Sequence, residues 1–300
     1  MNTTPARGIA LILCAAFLWG TTGTAQSFAP LTLSSYWVGT MRLLVSAIFF
    51  ILWLGLSDIS IFKPSQFKSL PWFLISAAAL TMAIYNLAFF AGIRATSVAI
   101  GTAVALGSSP VWAGIIQAIG TRQIPARAWW LAVTVALSGL LVATLGSIPS
   151  EAGISILGIG LCLLSGLSYA IYAIVTKQLV SKASASVTTT MVFTGAALFA
   201  LPCAFVLAGS PIVNRADVAV MLWLGIIATG VAYLLFSLGL RFVSSATGVA
   251  LALAEPIAAV ILAIVIVGER PGPIALTGLA MVFIGLCLIV RSELESQPRS

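Results

Sequence analysis

Two charged side chains of this 300-residue sequence sit within long apolar runs, Arg42 and Glu255. An ionisable group in such surroundings is costly at bilayer depth, so it needs a partner or a water-filled cavity. Facing a cavity, Arg42 can pair with the carboxylate of a solute and Glu255 with an ammonium group or a proton in transit. The alternative is structural: the two bind each other, or backbone groups around the kink that Pro256 imposes, and keep helices in register.

Aromatic and hydroxyl residues recur at helical spacing. Thr81, Tyr85 and Phe89 stand at i, i+4 and i+8, as do Thr229, Tyr233 and Ser237, so each trio shares one helix face. Tyr85 falls toward the outside of its run and Tyr233 toward the cytoplasm, which places them above and below a solute as parts of two gates. A helix-to-helix hydrogen bond is the alternative role for a buried tyrosine. Trp19, with Gly20, Thr21, Thr22 and Gly23 beside it, lies mid-run where small residues admit a ligand or another helix. Tyr169 and Tyr172, three apart, are candidate cavity residues for the same reason of depth, and Ser108, Ser109 and Pro110 are a place where a helix backbone can open or kink. Trp72, Trp129, Trp130 and Trp223 lie near run ends and read as an interfacial belt.

The chain that must hold these groups is 61% hydrophobic and 7% charged, against about 25% charged in a soluble domain. Such a chain cannot supply a polar exterior, and a lipid-facing one removes the need. No histidine occurs, which excludes Ser-His catalysis, imidazole metal sites and a histidine proton relay. Cys14, Cys162, Cys203 and Cys287 lie in apolar runs without CxxC spacing and read as buried small hydrophobes. No metal or other cofactor is expected, and the absence of a GxGxxG or GKT/S loop leaves an ATP-driven pump unsupported. The net charge of +7 comes from scattered basic residues. That pattern suits lipid headgroups and topology signals better than nucleic acid.

A spanning helix needs about 20 apolar residues. The runs give ten, at 8–27, 34–56, 71–92, 97–119, 128–146, 154–176, 187–208, 218–240, 246–268 and 273–290, punctuated by Pro30, Pro64, Pro125, Pro149, Pro211 and Pro271. One side of these spans carries Arg7, Lys63, Lys68, Arg122, Arg127, Lys177, Lys182, Arg241, Arg291 and Arg299, and the other only Arg94, Arg215 and Arg270. Both termini are therefore expected in the cytoplasm.

The chain also repeats. Gly8-Ile9-Ala10-Leu11 returns as Gly158-Ile159-Gly160-Leu161, and the same offset sets Trp19 against Tyr169. Thr81 and Tyr85 correspond to Thr229 and Tyr233; Gly92, Arg94 and Gly101 to Gly239, Arg241 and Gly248; Gly139-Leu140 to Gly285-Leu286. The expected division is 1–148, 149–291 and a short cytoplasmic tail, 292–300. With five spans each, the halves enter the membrane from opposite sides, the inverted-repeat arrangement of secondary transporters. Arg7, an apolar run and Thr24-Ala25-Gln26 superficially suit a cleavable signal peptide, but the first span is half of that symmetry and is expected to stay. The expected fold is an all-α integral membrane protein, ten transmembrane helices in two inverted five-helix repeats around a central cavity.

Specific motifs carry a resemblance. Phe17-Leu18-Trp19-Gly20-Thr21 and Met41-Arg42-Leu43-Leu44 in the first half, and Gly239-Leu240-Arg241-Phe242-Val243-Ser244-Ser245-Ala246, Ala254-Glu255-Pro256, Gly268-Glu269-Arg270, Gly278 and Gly285 in the second, resemble the ten-helix EamA type of the drug/metabolite transporter superfamily over almost the whole chain. Length and aromatic content are most similar to its aromatic amino-acid exporters of the YddG type. The resemblance implies a basket of spans one to four and six to nine around the cavity, with five and ten as outer supports, and efflux of amino acids or similar metabolites. The first-half counterpart of Glu255-Pro256 is Ser109-Pro110, so any carboxylate role is one-sided.

The site expected from these readings comprises Trp19, Thr22, Arg42, Thr81, Tyr85, Ser109, Tyr169, Tyr172, Thr229, Tyr233 and Glu255. Few midplane charges among many aromatic and hydroxyl groups favour a neutral or zwitterionic small molecule as the partner, in a bacterial cytoplasmic membrane. Efflux of drugs or other metabolites is the nearest alternative. An enzyme acting on lipid-linked substrates needs ionisable groups gathered at one interface, and no loop supplies them.

Overall fold

The computed structural model describes residues 3–28, 33–57, 70–121, 124–146 and 155–295, and every regular element among them is helical. Ten helices are long and apolar enough to cross a membrane. They are α1 (Thr3–Phe28), α2 (Ser35–Ser57), α3 (Trp72–Ala95), α4 (Val98–Thr121), α5 (Arg127–Leu145), α6 (Ile156–Val180), α7 (Ala185–Ala208), α8, α9 and α10 (Pro273–Glu295). α8 joins Arg215–Leu222, a π-helical stretch Trp223–Val231 and Ala232–Gly239, while α9 joins Ser245–Leu251, a 3-10 turn Ala252–Ala254, Glu255–Leu262 and π-helical Ala263–Val267. α10 runs on to Glu295, past the expected end of its span and into the segment assigned to a tail. The expected breakers Pro30, Pro64 and Pro149, the topology charges Lys63, Lys68, Arg122 and Arg299, and the division at 148 and 149 lie outside the described residues.

Helix is what lipid allows, because the bilayer core offers backbone amides no other partner. Where chain ends meet water, polar side chains close the first turns. Ser155 accepts from the Gly158 amide, Ser184 from Val187 and Ser244 from Thr247, and Asn214 with Asp217 forms a capping box.

The interior is built from small residues. Ala15, Ala78, Ala132, Ala170, Ala196 and Ala232 are fully buried, while Leu56, Phe73, Ile156 and Val206 point outward. Lipid rewards no burial of large side chains, so helices associate by close approach instead. Cys162 is buried, but Cys14, Cys203 and Cys287 are exposed on the lipid-facing surface, a correction to the expectation that all four are interior. Chains of lipid solvate a thiol-bearing methylene as readily as a core does. Of the expected belt, Trp72 and Trp223 are exposed, whereas Trp129 is buried and packs with Trp130 against Gly114 of α4.

α1, α2, α3 and α4 pack with α6, α7, α8 and α9 in one basket, and α5 and α10 pair with each other beside it. The pair meets backbone to backbone: a Cβ on Gly139 would lie 2.6 Å from the Gly278 carbonyl oxygen, and one on Gly278 would collide with the Ala143 amide. Gly278→Leu should force the two helices apart at a cost of about 1–3 kcal/mol, the usual price of overpacking. The check is a lower thermal unfolding midpoint in detergent than Leu279→Ala, one residue away, gives.

Candidate functional site

The face holding the starts of odd-numbered helices and the ends of even-numbered ones, here the terminal face, is closed. Gly8 of α1 abuts Gly239 and Phe242 at the end of α8. Lys177 of α6 donates to the carbonyls of Leu240 and Val243 at 2.5 and 2.8 Å. The start of α9 is held from two sides. The Gln117 side-chain oxygen of α4 accepts from the Ser245 hydroxyl and the Ala246 amide, both at 3.0 Å, and Glu293 of α10 accepts from the Ser244 amide at 3.1 Å and the Thr247 hydroxyl at 2.5 Å. None of Lys177, Gln117 and Glu293 belongs to the expected site. Near a span end Lys177 reads as a topology signal, and no motif marks any of the three.

In the other half of the protein a cavity of about 190 Å³ lies between α1, α2, α3, α4 and α9. Of the candidate residues, Trp19, Thr22, Arg42, Tyr85 and Glu255 line it, together with Gln26, Phe90 and Thr102, which the sequence did not single out. Gln26, Ile93 and Val98, near the helix ends on the face opposite the termini, complete its lining on that side.

The two charges arrive there by different local devices. Arg42 is 7% exposed; its Nε donates to the Thr229 hydroxyl at 3.1 Å and its guanidinium carbon sits 5.4 Å from the Phe90 ring centroid. Thr229 is able to accept because its own proton goes to the Leu224 carbonyl, five residues back, in the π-helical stretch of α8. Glu255 stands where α9 breaks. The 3-10 turn ends at Ala254 and the helix restarts at Glu255 with Pro256 behind it, so the carboxylate lies in the first turn of a new helix, whose dipole favours an acid. α1 approaches this break closely, since a Cβ on Gly20 would stand 3.0 Å from the Glu255 carbonyl oxygen and 2.7 Å from the Ala258 Cβ. Among the described residues the single ion pair is Arg291–Glu295. Arg42 and Glu255 thus border one cavity without a direct salt bridge, contrary to the alternative in which they bind each other.

Below the cavity the aromatic residues interlock. The Trp19 ring centroid lies 5.0 Å from that of Tyr233 and 6.2 Å from that of Tyr169, and Tyr85 lies 5.3 Å from Tyr169. Tyr172 is deeper, against Phe193 and Tyr233. Trp19 Nε1 and the Tyr169 hydroxyl are buried and make no hydrogen bond among the described residues.

Six expected site residues therefore fall outside the lining of this cavity. Thr229, Tyr169 and Tyr233 stand directly behind it, and Tyr172 one layer further. Thr81 donates to the Ala77 and Ala78 carbonyls of its own helix. Ser109 donates to the Ala105 carbonyl at 2.6 Å and faces Gly166 of α6; α4 runs unbroken through Pro110, so the expected backbone opening is absent. Tyr85 and Tyr233 belong to one ring cluster, Tyr85 through Tyr169 and Tyr233 through Trp19, and do not stand apart as two gates. The π-helical stretch explains part of this: i→i+5 turns use more residues per turn, and a residue count along α8 then overestimates the depth of Tyr233.

Ten helices long and apolar enough to cross a membrane, around a cavity bordered by an arginine and a glutamate and closed toward one face, make an arrangement suited to carrying a solute. The chain matches the EamA-like transporter family twice, over residues 6–145 and 156–291, and it belongs to that family. It is 34% identical over 280 residues to "Uncharacterized transporter YwfM" of Bacillus subtilis (strain 168), covering 93% of this chain and 92% of that protein. A solved crystal structure with 16% identity superposes with a TM-score of 0.78 over 98% of this chain and 99% of its own, which shows the shared fold.

The one-sided closure has a direct readout. In a variant with the four native cysteines replaced by alanine, Thr22→Cys should react with a membrane-impermeant thiol reagent presented to the face opposite the termini. Ser245→Cys, presented with reagent on the terminal face, should react at least about tenfold more slowly if the closed arrangement dominates the population. Sided membrane vesicles and mass spectrometry measure both rates.

Proposed function

We propose that this EamA-family transporter exports amino acids, aromatic or otherwise neutral and zwitterionic, by alternating access, from a bacterial cytoplasm that both termini face. The observation that carries the reading is the separation of Arg42 and Glu255 across one cavity walled by Trp19, Tyr85 and Phe90. A cation and an acid held apart offer two ends to a zwitterion: the guanidinium takes the carboxylate and the Glu255 carboxylate takes the ammonium group. The aromatic walls suit an apolar side chain between them. A phosphorylated solute would instead require a cluster of bases, and Arg42 is alone at this depth.

Thr229, Tyr169 and Tyr233 act from behind, by fixing Arg42 and by supporting Trp19. The interlocked rings form the cavity floor, so opening the terminal face requires them to part. In this reading the structure is the outward-open state, and export begins when the hydrogen bonds of Lys177, Gln117 and Glu293 release the opposite side. Efflux of drugs or other metabolites is the competing reading, favoured by the apolar majority of the lining.

Counterflow in proteoliposomes separates them. Labelled phenylalanine should exchange across the bilayer unchanged, and Arg42→Gln and Glu255→Gln should each weaken apparent affinity about 10- to 100-fold, the equivalent of losing one hydrogen bond to a charged group. Exchange of a lipophilic cation with none of phenylalanine, leucine or threonine would replace amino-acid export with the drug reading.

A further inference from the structure

We infer that the carrier has a second, lateral compartment that receives the apolar tail of an amphipathic zwitterion while its head group stays between Arg42 and Glu255. This rests on the zwitterion reading of the central cavity and extends it to a substrate class: amino-acid-like molecules bearing an alkyl chain or another long apolar group.

The two halves of α9 lie differently against α4. Before the break, the Ser245–Leu251 segment packs on α4, and Gln117 fastens its first turn. Beyond Pro256 the helix turns to pack chiefly on α1, aided by the close approach at Gly20. The seam between α4 and α9 therefore opens like a wedge toward the face opposite the termini. A crevice of about 570 Å³ fills the wedge, bounded by α4, α5, α9 and α10. Val98, Thr102, Pro256 and Ala259 line both this crevice and the central cavity, so the two spaces adjoin with only these four side chains between them. Its deeper wall is apolar, with Ala103, Leu140, Ala263 and Leu279, and Glu269 and Arg270 stand at its rim.

Size makes the crevice necessary for larger solutes. Small-molecule sites usually enclose about 300–1,000 Å³, and the central cavity at about 190 Å³ falls short of that range. It holds a zwitterionic head and a few carbons. Anything longer must extend past Thr102 and Pro256, and the space it meets there is apolar.

The test uses two probes with one head group, 2-aminobutyrate and 2-aminodecanoate, in equilibrium binding to the protein in nanodiscs, corrected for partition into protein-free discs. Each methylene entering the crevice should tighten binding about fourfold, the equivalent of about 0.8 kcal/mol. Ala263→Trp and Ala103→Phe fill the crevice without lining the central cavity. Each should remove the chain-length advantage and leave 2-aminobutyrate unchanged. A chain-length advantage that persists in both variants overturns the crevice alone. Decanoate competing as strongly as 2-aminodecanoate also overturns it, since the crevice then takes any membrane chain. Failure of the wild-type protein to bind 2-aminobutyrate removes the zwitterion reading and this inference with it. Should the variants not fold, a tail-diazirine analogue of 2-aminodecanoate on the wild-type protein decides: adducts at Leu140, Ala263 or Leu279 support the compartment, and adducts confined to Trp19, Tyr85 and Phe89 overturn it.

Discussion

A bilayer offers a backbone amide no partner except another backbone group, so each interruption of a helix at membrane depth must be compensated by protein or open onto a polar space. Two interruptions organise this chain. The 3-10 turn Ala252–Ala254 and Pro256 break α9 and leave a fresh helix start, and the acid at that start is Glu255. The π-helical stretch of α8 turns Thr229 so that its proton serves its own backbone and its lone pair serves Arg42. Without the first break there is no favourable place for a carboxylate. Without the second, the guanidinium has no fixed donor direction.

Close packing follows from the same constraint. Because lipid gives large side chains no reason to turn inward, alanine and glycine fill the interior and bring helices near enough for one backbone to limit another. Gly20 against the α9 break and Gly139 against Gly278 are the two clearest cases. The first sets the shape of the cavity wall, and the second holds α5 and α10 as a pair at the edge of the basket.

The spans were legible because length and apolarity are all a bilayer asks of them; every expected run overlaps a helix. Arg42 and Glu255 were legible for the complementary reason, since a charge in an apolar run has few ways to survive. Trp19, Thr22 and Tyr85 also reached the cavity. Depth along a helix was less legible: Tyr233 joins the ring cluster of Trp19, and the π-helical stretch before it, invisible in hydropathy, shortens the travel that a residue count implies. Facing direction failed at Thr81 and Ser109, whose hydroxyls are satisfied by their own helices. Lys177 was legible only as a topology charge, and Gln117 and Glu293 not at all, because their role depends on which helix ends meet, and one sequence does not state that.

The polar fastenings of the closed face have a property that its apolar contacts lack. Beside its apolar contacts, such as Gly8 against Phe242, that face is fastened by hydrogen bonds at the edge of the membrane, made by a lysine, a glutamine and a glutamate to helix ends. When they part, water reaches the same atoms and replaces each bond with another, so the net loss is only about 0.5–1.5 kcal/mol for an ordinary one and somewhat more where a charge is involved. A greasy plug of similar extent would expose hydrocarbon and strongly resist opening. Under the alternating-access reading proposed above, these polar fastenings add little to the barrier, and the interlocked rings beneath them set more of it.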